Sequence, residues 1–183
     1  MKIAVLSVGQ TPTEIIERLS RELPKIFPDT TSQVIGEVLS LPEHALDKKR
    51  RQYNSTLILN ELQRFATHHL NFNRILGVTN VDIFASGLSY VFGEAYLTGK
   101  SGLISLWRLR PQFYGEEPDT GALQLRTQKE AIHEIGHTLG LQHCNKNYCV
   151  MHFSNSIFDV DKKQKLFCDQ CYLNASIAIS NMG

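Results

Sequence analysis

The residues with the clearest capacity for chemistry are His133, Glu134, His137 and His143, with Gly140 between the last two. His133 and His137 stand four positions apart, so on a helix their side chains project from one face, a turn apart. Two imidazole nitrogens placed in this way can reach one ion at about 2.0–2.1 Å. Gly140 can take the left-handed conformation that ends a helix and turns the chain. That turn brings His143 back as a third ligand; on a continued helix it would lie about 9 Å beyond His137 along the axis. Three neutral imidazoles leave a fourth position for water, the pattern of a catalytic rather than a closed zinc site. Glu134 is not needed as a ligand. It is expected to activate the zinc-bound water as a general base and to pass the proton to the departing amine. With 7 His and 12 Gly in 183 residues, the five-residue motif alone would arise in about one or two such chains per hundred. The glycine and third histidine at fixed offsets reduce this to roughly a few in 100,000. His44, His68, His69 and His152 show no comparable pattern and read as surface or packing residues.

All four cysteines fall between positions 144 and 171. Cys144 and Cys149 are separated by four residues and Cys168 and Cys171 by two, both gaps being usual for zinc-ligand pairs. Four thiolates make a closed site, so the second zinc expected here is structural. It would staple the loop after the active-site helix to the C-terminal helix. Two disulfides are the alternative, as is a redox pair at Cys168 and Cys171, although such a pair belongs beside a thioredoxin-like unit. Met151 lies between the cysteine pairs, eight residues after His143. Alone it would read as a flexible core filler; in a tight loop just past the third histidine it is a candidate floor beneath the catalytic zinc.

Taken together, His133-Glu134-x-x-His137-x-x-Gly140-x-x-His143-Cys144, Cys149-x-Met151 and Cys168-x-x-Cys171 resemble the metzincin clan of zinc peptidases and, within it, the archaemetzincin family. Phe153-Ser154-Asn155-Ser156 is similar to the segment after the methionine in archaeal members. The resemblance implies a twisted sheet, a long active-site helix, and a cleft between an upper part (about 1–140) and a smaller lower part (about 141–183) of one catalytic domain. It also implies one catalytic and one structural zinc, and an edge strand that binds extended peptide by strand addition. That strand is expected within Glu94 to Leu109.

A frame must hold these residues. The chain has 183 residues, a one-domain length. Its 42% hydrophobic and 20% charged content supports a packed core and argues against disorder. The net charge of +1 gives no electrostatic reason to expect nucleic acid or an acidic membrane. No apolar run approaches the roughly 18–20 residues of a membrane span. Met1 to Gly9 reads as a buried first strand rather than a secretory signal, because Ser7 interrupts it and no small-residue cleavage site follows. The cytoplasm is the expected location.

Thr11-Pro12-Thr13-Glu14 predicts a helix start, with Thr11 as cap and Glu14 completing a capping box. Apolar residues from Ile15 to Phe27 recur at helical spacing until Pro28. A strand is expected around Val34 to Leu39 and a helix from about Ser55 to Leu70. Strands follow at Arg74 to Thr79 and Ile83 to Ala85. Two more, Glu94 to Thr98 and Leu103 to Leu109, flank the turn Gly99–Gly102. Five residues rather than four separate Gly93 from the Gly99-Lys100-Ser101 run, so it reads as a hairpin turn and not a phosphate loop. A helix beginning between Asp119 and Thr127 ends at Gly140, and a last one spans about Asp161 to Ile179. The alternation predicts an α/β (α+β) class with a twisted mixed sheet and packed helices.

The expected function is a zinc-dependent metallopeptidase acting on peptide or protein substrates as a monomer, with aminopeptidase action as one form. A non-catalytic zinc-containing peptide-binding protein of the same fold is the alternative, and the intact Glu134 counts against it. Metal-assisted hydrolysis of a small amide is a third reading.

Overall fold

The computed structural model describes residues 1–69 and 71–182. In chain order its elements are β1 (Lys2–Val8), α1 (Thr13–Glu22), β2 (Thr31–Leu39), β3 (Leu46–Asp47), β4 (Gln52–Asn54), α2 (Ser55–His68) and β5 (Arg74–Thr79). They continue with β6 (Ile83–Phe84), β7 (Gly93–Ala95), β8 (Ser101–Ser105), α3 (Thr120–Thr138), α4 (Ile157–Lys162) and α5 (Asp169–Ser180).

The first strand shows why a mixed sheet forms. Side chains alternate across a strand, and both sets in β1 are apolar. Ile3 and Val5 enter a core with Leu19 of α1, Ile132 and Ile135 of α3, and Ala175 of α5. Ala4, Leu6 and Val8 enter another with Ile58, Leu59 and Leu62 of α2. A strand buried on both faces belongs inside a parallel sheet covered by helices. The order is β2-β1-β5-β8-β7. The first four strands run parallel, and β7 pairs antiparallel with β8 at the edge. A small second sheet has the order β3-β4-β6.

The helix that carries the histidines is the innermost one. Every residue of α3 from Arg126 to Gly136 is buried. Its charged members are matched by the segment that follows the cysteine loop. Arg126 donates to both carboxylate oxygens of Asp161 at 2.7 and 2.6 Å. Lys129 Nζ donates to the carbonyls of Val160 and Asp161 at 2.8 and 2.9 Å. The Asp119 side chain caps the helix start by accepting from Ala122 N–H. Among the described residues no helix is long and apolar enough to cross a membrane.

Several local expectations are corrected. Thr11 does not cap α1: its hydroxyl donates instead to the Val78 carbonyl at 2.9 Å, Pro12 occupies the cap position, and no side chain closes a capping box. The helix gives way at Leu23–Lys25 to a 3-10 turn, because Pro24 lacks the N–H that would continue the α-helical ladder. Leu70, the expected end of α2, lies outside the described residues. Trp107–Leu109 is a 3-10 turn rather than the end of a strand. The expected last helix is broken into α4 and α5. Between them Gln164 N–H donates to the Tyr148 carbonyl, and the Leu166 carbonyl accepts from Val150 N–H. This extended stretch is held against the cysteine loop, which a continuous helix could not do. A β7–β8 hairpin forms, but with shifted bounds: Gly93–Ala95 pairs antiparallel with Ser101–Ser105, so Ser101 and Gly102 lie in the strand rather than in the turn.

Candidate active site and metal centres

Two structural devices converge the histidines. The helical period stacks His133 and His137. Gly140 then takes φ +91°, and the chain reverses with Gly140 N–H donating to His137 O at 2.9 Å and Leu141 N–H to Gly136 O at 3.1 Å. This is the paired bonding of a glycine-terminated helix. It returns His143 to the other two rings, with centroids 5.3 Å from His133 and 4.9 Å from His137. Each of the three rings offers a nitrogen within 4.8 Å of the others.

The outer ring nitrogens decide which lone pairs face inward. His133 Nδ1 lies 2.8 Å from the Val150 carbonyl and His137 Nδ1 2.7 Å from the Leu141 carbonyl. A carbonyl can only accept, so each Nδ1 carries the proton and each Nε2 presents a lone pair. The two Nε2 atoms are 3.0 Å apart, close to the roughly 3.3 Å implied by zinc–nitrogen bonds at a tetrahedral angle. Burial pushes all three imidazoles below their ordinary pKa, His133 most strongly, so they are neutral as ligands must be. The donor set therefore fits a divalent cation.

Glu134 lines the same cleft as the three rings and packs against the sheet. Gly93 of β7 and Gly102 of β8 make room for it: a Cβ on Gly93 would stand 2.6 Å from Glu134 Oε1, and one on Gly102 3.3 Å from Glu134 Cβ. Burial, then the neighbouring Glu130, pushes the Glu134 carboxyl well above the usual carboxylate range, with Lys163 opposing them.

The four cysteines form a second cluster, their sulfurs all within 4.8 Å of one another and all free thiols. Cys144 Sγ and Cys168 Sγ are 3.8 Å apart, the separation expected for two sulfurs about 2.3 Å from a tetrahedral zinc. Burial works against ionisation of Cys168, yet the Cys171 backbone N–H and the adjoining thiols hold its pKa down to about 7. The set fits a closed four-thiolate site better than either disulfides or an isolated redox pair.

Met151 is fully buried against Gly136, the residue before His137. Its carbonyl also accepts from Cys144 N–H at 2.9 Å. A Cβ at Gly136 would stand 2.4 Å from Met151 Sδ. Gly136→Ala is therefore expected to destabilise the protein by about 1–3 kcal/mol through overpacking. Thermal unfolding measures it, and an unchanged midpoint would show that the methionine has room to move.

Some residues around the site were not anticipated. The cleft over the histidines has a volume of about 780 Å³. Its upper wall is the segment before β7, fixed where Arg50 donates to the Leu88 and Ser89 carbonyls at 3.1 and 2.7 Å. Tyr90 Oη then donates across to the Asn155 carbonyl at 2.7 Å. Glu130 also lines the cleft. Its position one helical turn before Glu134 was the available signal; Arg50 and Tyr90 left none.

This fold and site define a zinc metallopeptidase, a hydrolase of peptide bonds. The chain belongs to peptidase family M54, whose model matches residues 2–176. It is 46% identical over 171 residues to the archaemetzincin of Methanocaldococcus jannaschii, covering 93% of this chain and 90% of that one. Its structure is similar to the crystal structure of archaemetzincin from Archaeoglobus fulgidus complexed with malonate, with TM-score 0.81 and 40% identity over 95% of this chain and 99% of that one. It is also similar to a zinc-dependent peptidase from Methanocorpusculum labreanum, with TM-score 0.85 and 28% identity over 94% of this chain and 99% of that one.

Proposed function

We propose that His133, His137 and His143 hold a catalytic zinc, that Cys144, Cys149, Cys168 and Cys171 hold a structural one, and that Glu134 is the general base of peptide hydrolysis. The observation that carries this reading is the placement of Glu134: a buried carboxyl beside the ring cluster, with two glycines clearing its space. Zinc, when bound, would polarise the scissile carbonyl and bring water toward a pKa of about 7. The chain's residues do the rest. His133 and His137 are locked in one tautomer by the Val150 and Leu141 carbonyls. Glu134 takes the proton of the attacking water. The surroundings that raise its pKa favour the protonated form, so it can hold that proton until the amine leaves and then deliver it. Met151 supports the helix from below at Gly136.

β7 lies at the sheet edge along the cleft and can receive an extended peptide as an added strand. The same reading takes the chain as one catalytic domain, residues 1–140 above the cleft and 141–183 below, working as a cytoplasmic monomer on peptides and not on nucleic acid. Aminopeptidase action belongs to it. The test is a peptide library with free and blocked termini, offered to the zinc-loaded protein. Cleavage is expected at residues next to a free N-terminus and is expected to cease on chelation. Cleavage indifferent to blocking would reject the aminopeptidase form. Two zincs per chain with no peptide cut would reject the peptidase reading.

A further inference from the structure

β7 is an edge strand, but its free edge is short. In an antiparallel pair alternate residues turn their main-chain groups toward the partner. Ser105 N–H donates to the Phe92 carbonyl and Tyr96 N–H to the Ser101 carbonyl, so Phe92, Glu94 and Tyr96 serve β8. Val91, Gly93 and Ala95 turn the other way. Val91 is already engaged, its N–H donating to the Ile83 carbonyl at 3.1 Å. Gly93 and Ala95, which line the cleft, are left to receive a peptide.

The cleft is also spanned at the end where Val91 is engaged. Tyr90 belongs to the upper wall and Asn155 to the lower, and Tyr90 Oη donates to the Asn155 carbonyl at 2.7 Å. Both ends of this bridge are anchored. The Arg108 guanidinium covers the Tyr90 ring, 4.2 Å from its centroid, and donates in turn to both carboxylate oxygens of Asp82 at 2.7 and 2.8 Å. Asn155 N–H donates to Asp159 Oδ2 at 3.1 Å. A strand added to β7 would lie about 4.7–4.9 Å from it, and a tyrosine side chain crossing from wall to wall stands in its way. Glu134, the proposed base, sits beside Gly93 and marks where the bond is cut. Tyr90 is three positions before Gly93, about 10 Å at the rise of a strand. At the other end of β7, Leu97 is 50% exposed, and a longer chain can leave there.

We propose that the cleft is closed at its Tyr90 end, so that the bond cut lies within about two residues of a chain end, and that Tyr90 is the specificity-determining residue that sets this limit. The substrate docks its main chain on Gly93 and Ala95. One terminus stops at the bridge, and the rest of the chain runs out past Leu97. A bond in the middle of a long chain cannot reach Glu134 while the bridge stands.

This limit rests on the peptidase reading, and the experiment keeps the two apart. A short peptide is lengthened one residue at a time, from its amino end in one series and from its carboxyl end in the other. Binding to zinc-loaded Glu134→Gln protein is measured by fluorescence anisotropy, and cleavage by the wild type is followed by mass spectrometry. One series is expected to be bound and cut at every length. In the other, affinity and rate should fall about tenfold once more than about two residues lie beyond the cut bond. Tyr90→Ala, made in both backgrounds, removes the bridge and leaves Arg108 paired with Asp82. Long and short members of the limited series should then differ by less than about threefold. Tyr90→Phe keeps the ring beside Arg108 and loses only the hydroxyl. It should narrow the difference in the same direction, and it decides the matter if Tyr90→Ala does not fold. Equal tolerance of both series by protein with Tyr90 intact overturns the proposal, as does a limit that neither variant moves. If the zinc-loaded wild type cuts no peptide, the peptidase reading is rejected, and the binding series on Glu134→Gln still decides whether the cleft is closed.

Discussion

Glu134→Gln is expected to lower turnover by about 10²–10⁴-fold or more while leaving the zinc content and the fold unchanged. The amide has the shape of the carboxyl it replaces and fits the same space beside Gly93 and Gly102. It cannot accept a proton from water, hold it, and return it to the leaving amine. The variant should not be less stable than the wild type. Glu134 is buried with its carboxyl pushed up by burial and by Glu130, so a neutral side chain there removes a desolvation cost. The measurement is threefold: zinc per chain by elemental analysis, the unfolding midpoint, and kcat on a peptide cut by the wild type. A variant with full zinc, an unchanged midpoint and turnover within about threefold of wild type would remove Glu134 from the mechanism. A variant that lost zinc would instead place Glu134 among the ligands.

The ring cluster was legible in the sequence because its determinants are local. A helical period and one glycine place His133, His137 and His143 within eleven residues, and the observed φ of +91° at Gly140 is what that reading needs. The cysteine cluster was legible for a different reason: two short spacings each fix a cysteine pair, although the expected helix between the pairs and the C-terminus is broken. The expected continuous last helix hid the inward turn at Lys163, since nothing in a lone lysine announces a buried partner 33 positions away. Tyr90 and Asn155 meet across 65 positions, and side-chain to carbonyl bonds at that separation have no periodic signature. Thr11 failed as a cap for a related reason. Its local option competed with a β5 carbonyl brought close by the parallel sheet, and the tertiary partner won. Short-range geometry thus fixed the chemistry, and long-range pairing fixed the walls of the cleft.

The histidine and cysteine clusters are linked through three residues, 149–151, and on the proposed reading Cys149→Ser is expected to expose that coupling. Cys149 is fully buried. The carbonyl of Val150, the next residue, fixes the His133 tautomer at 2.8 Å, and the carbonyl of Met151 receives Cys144 N–H. Loss of one thiolate should cost the structural zinc and destabilise the protein by about 4 kcal/mol or more, in the range reserved for losing a metal or a crosslink. For a chain of this size that is roughly 8–16 °C in the unfolding midpoint. Hydrolysis should fall as well, although the substitution lies outside the ring cluster, because a loosened 149–151 segment no longer orients His133. The contrast with Glu134→Gln separates the two roles: one variant keeps both zincs and loses chemistry, the other loses a zinc, stability and then chemistry. If Cys149→Ser retains two zincs per chain and melts with the wild type, the four sulfurs do not form a structural site. Their convergence would then have to be explained by packing alone, which four buried or half-buried thiols within 4.8 Å of one another make a poor account of the loop.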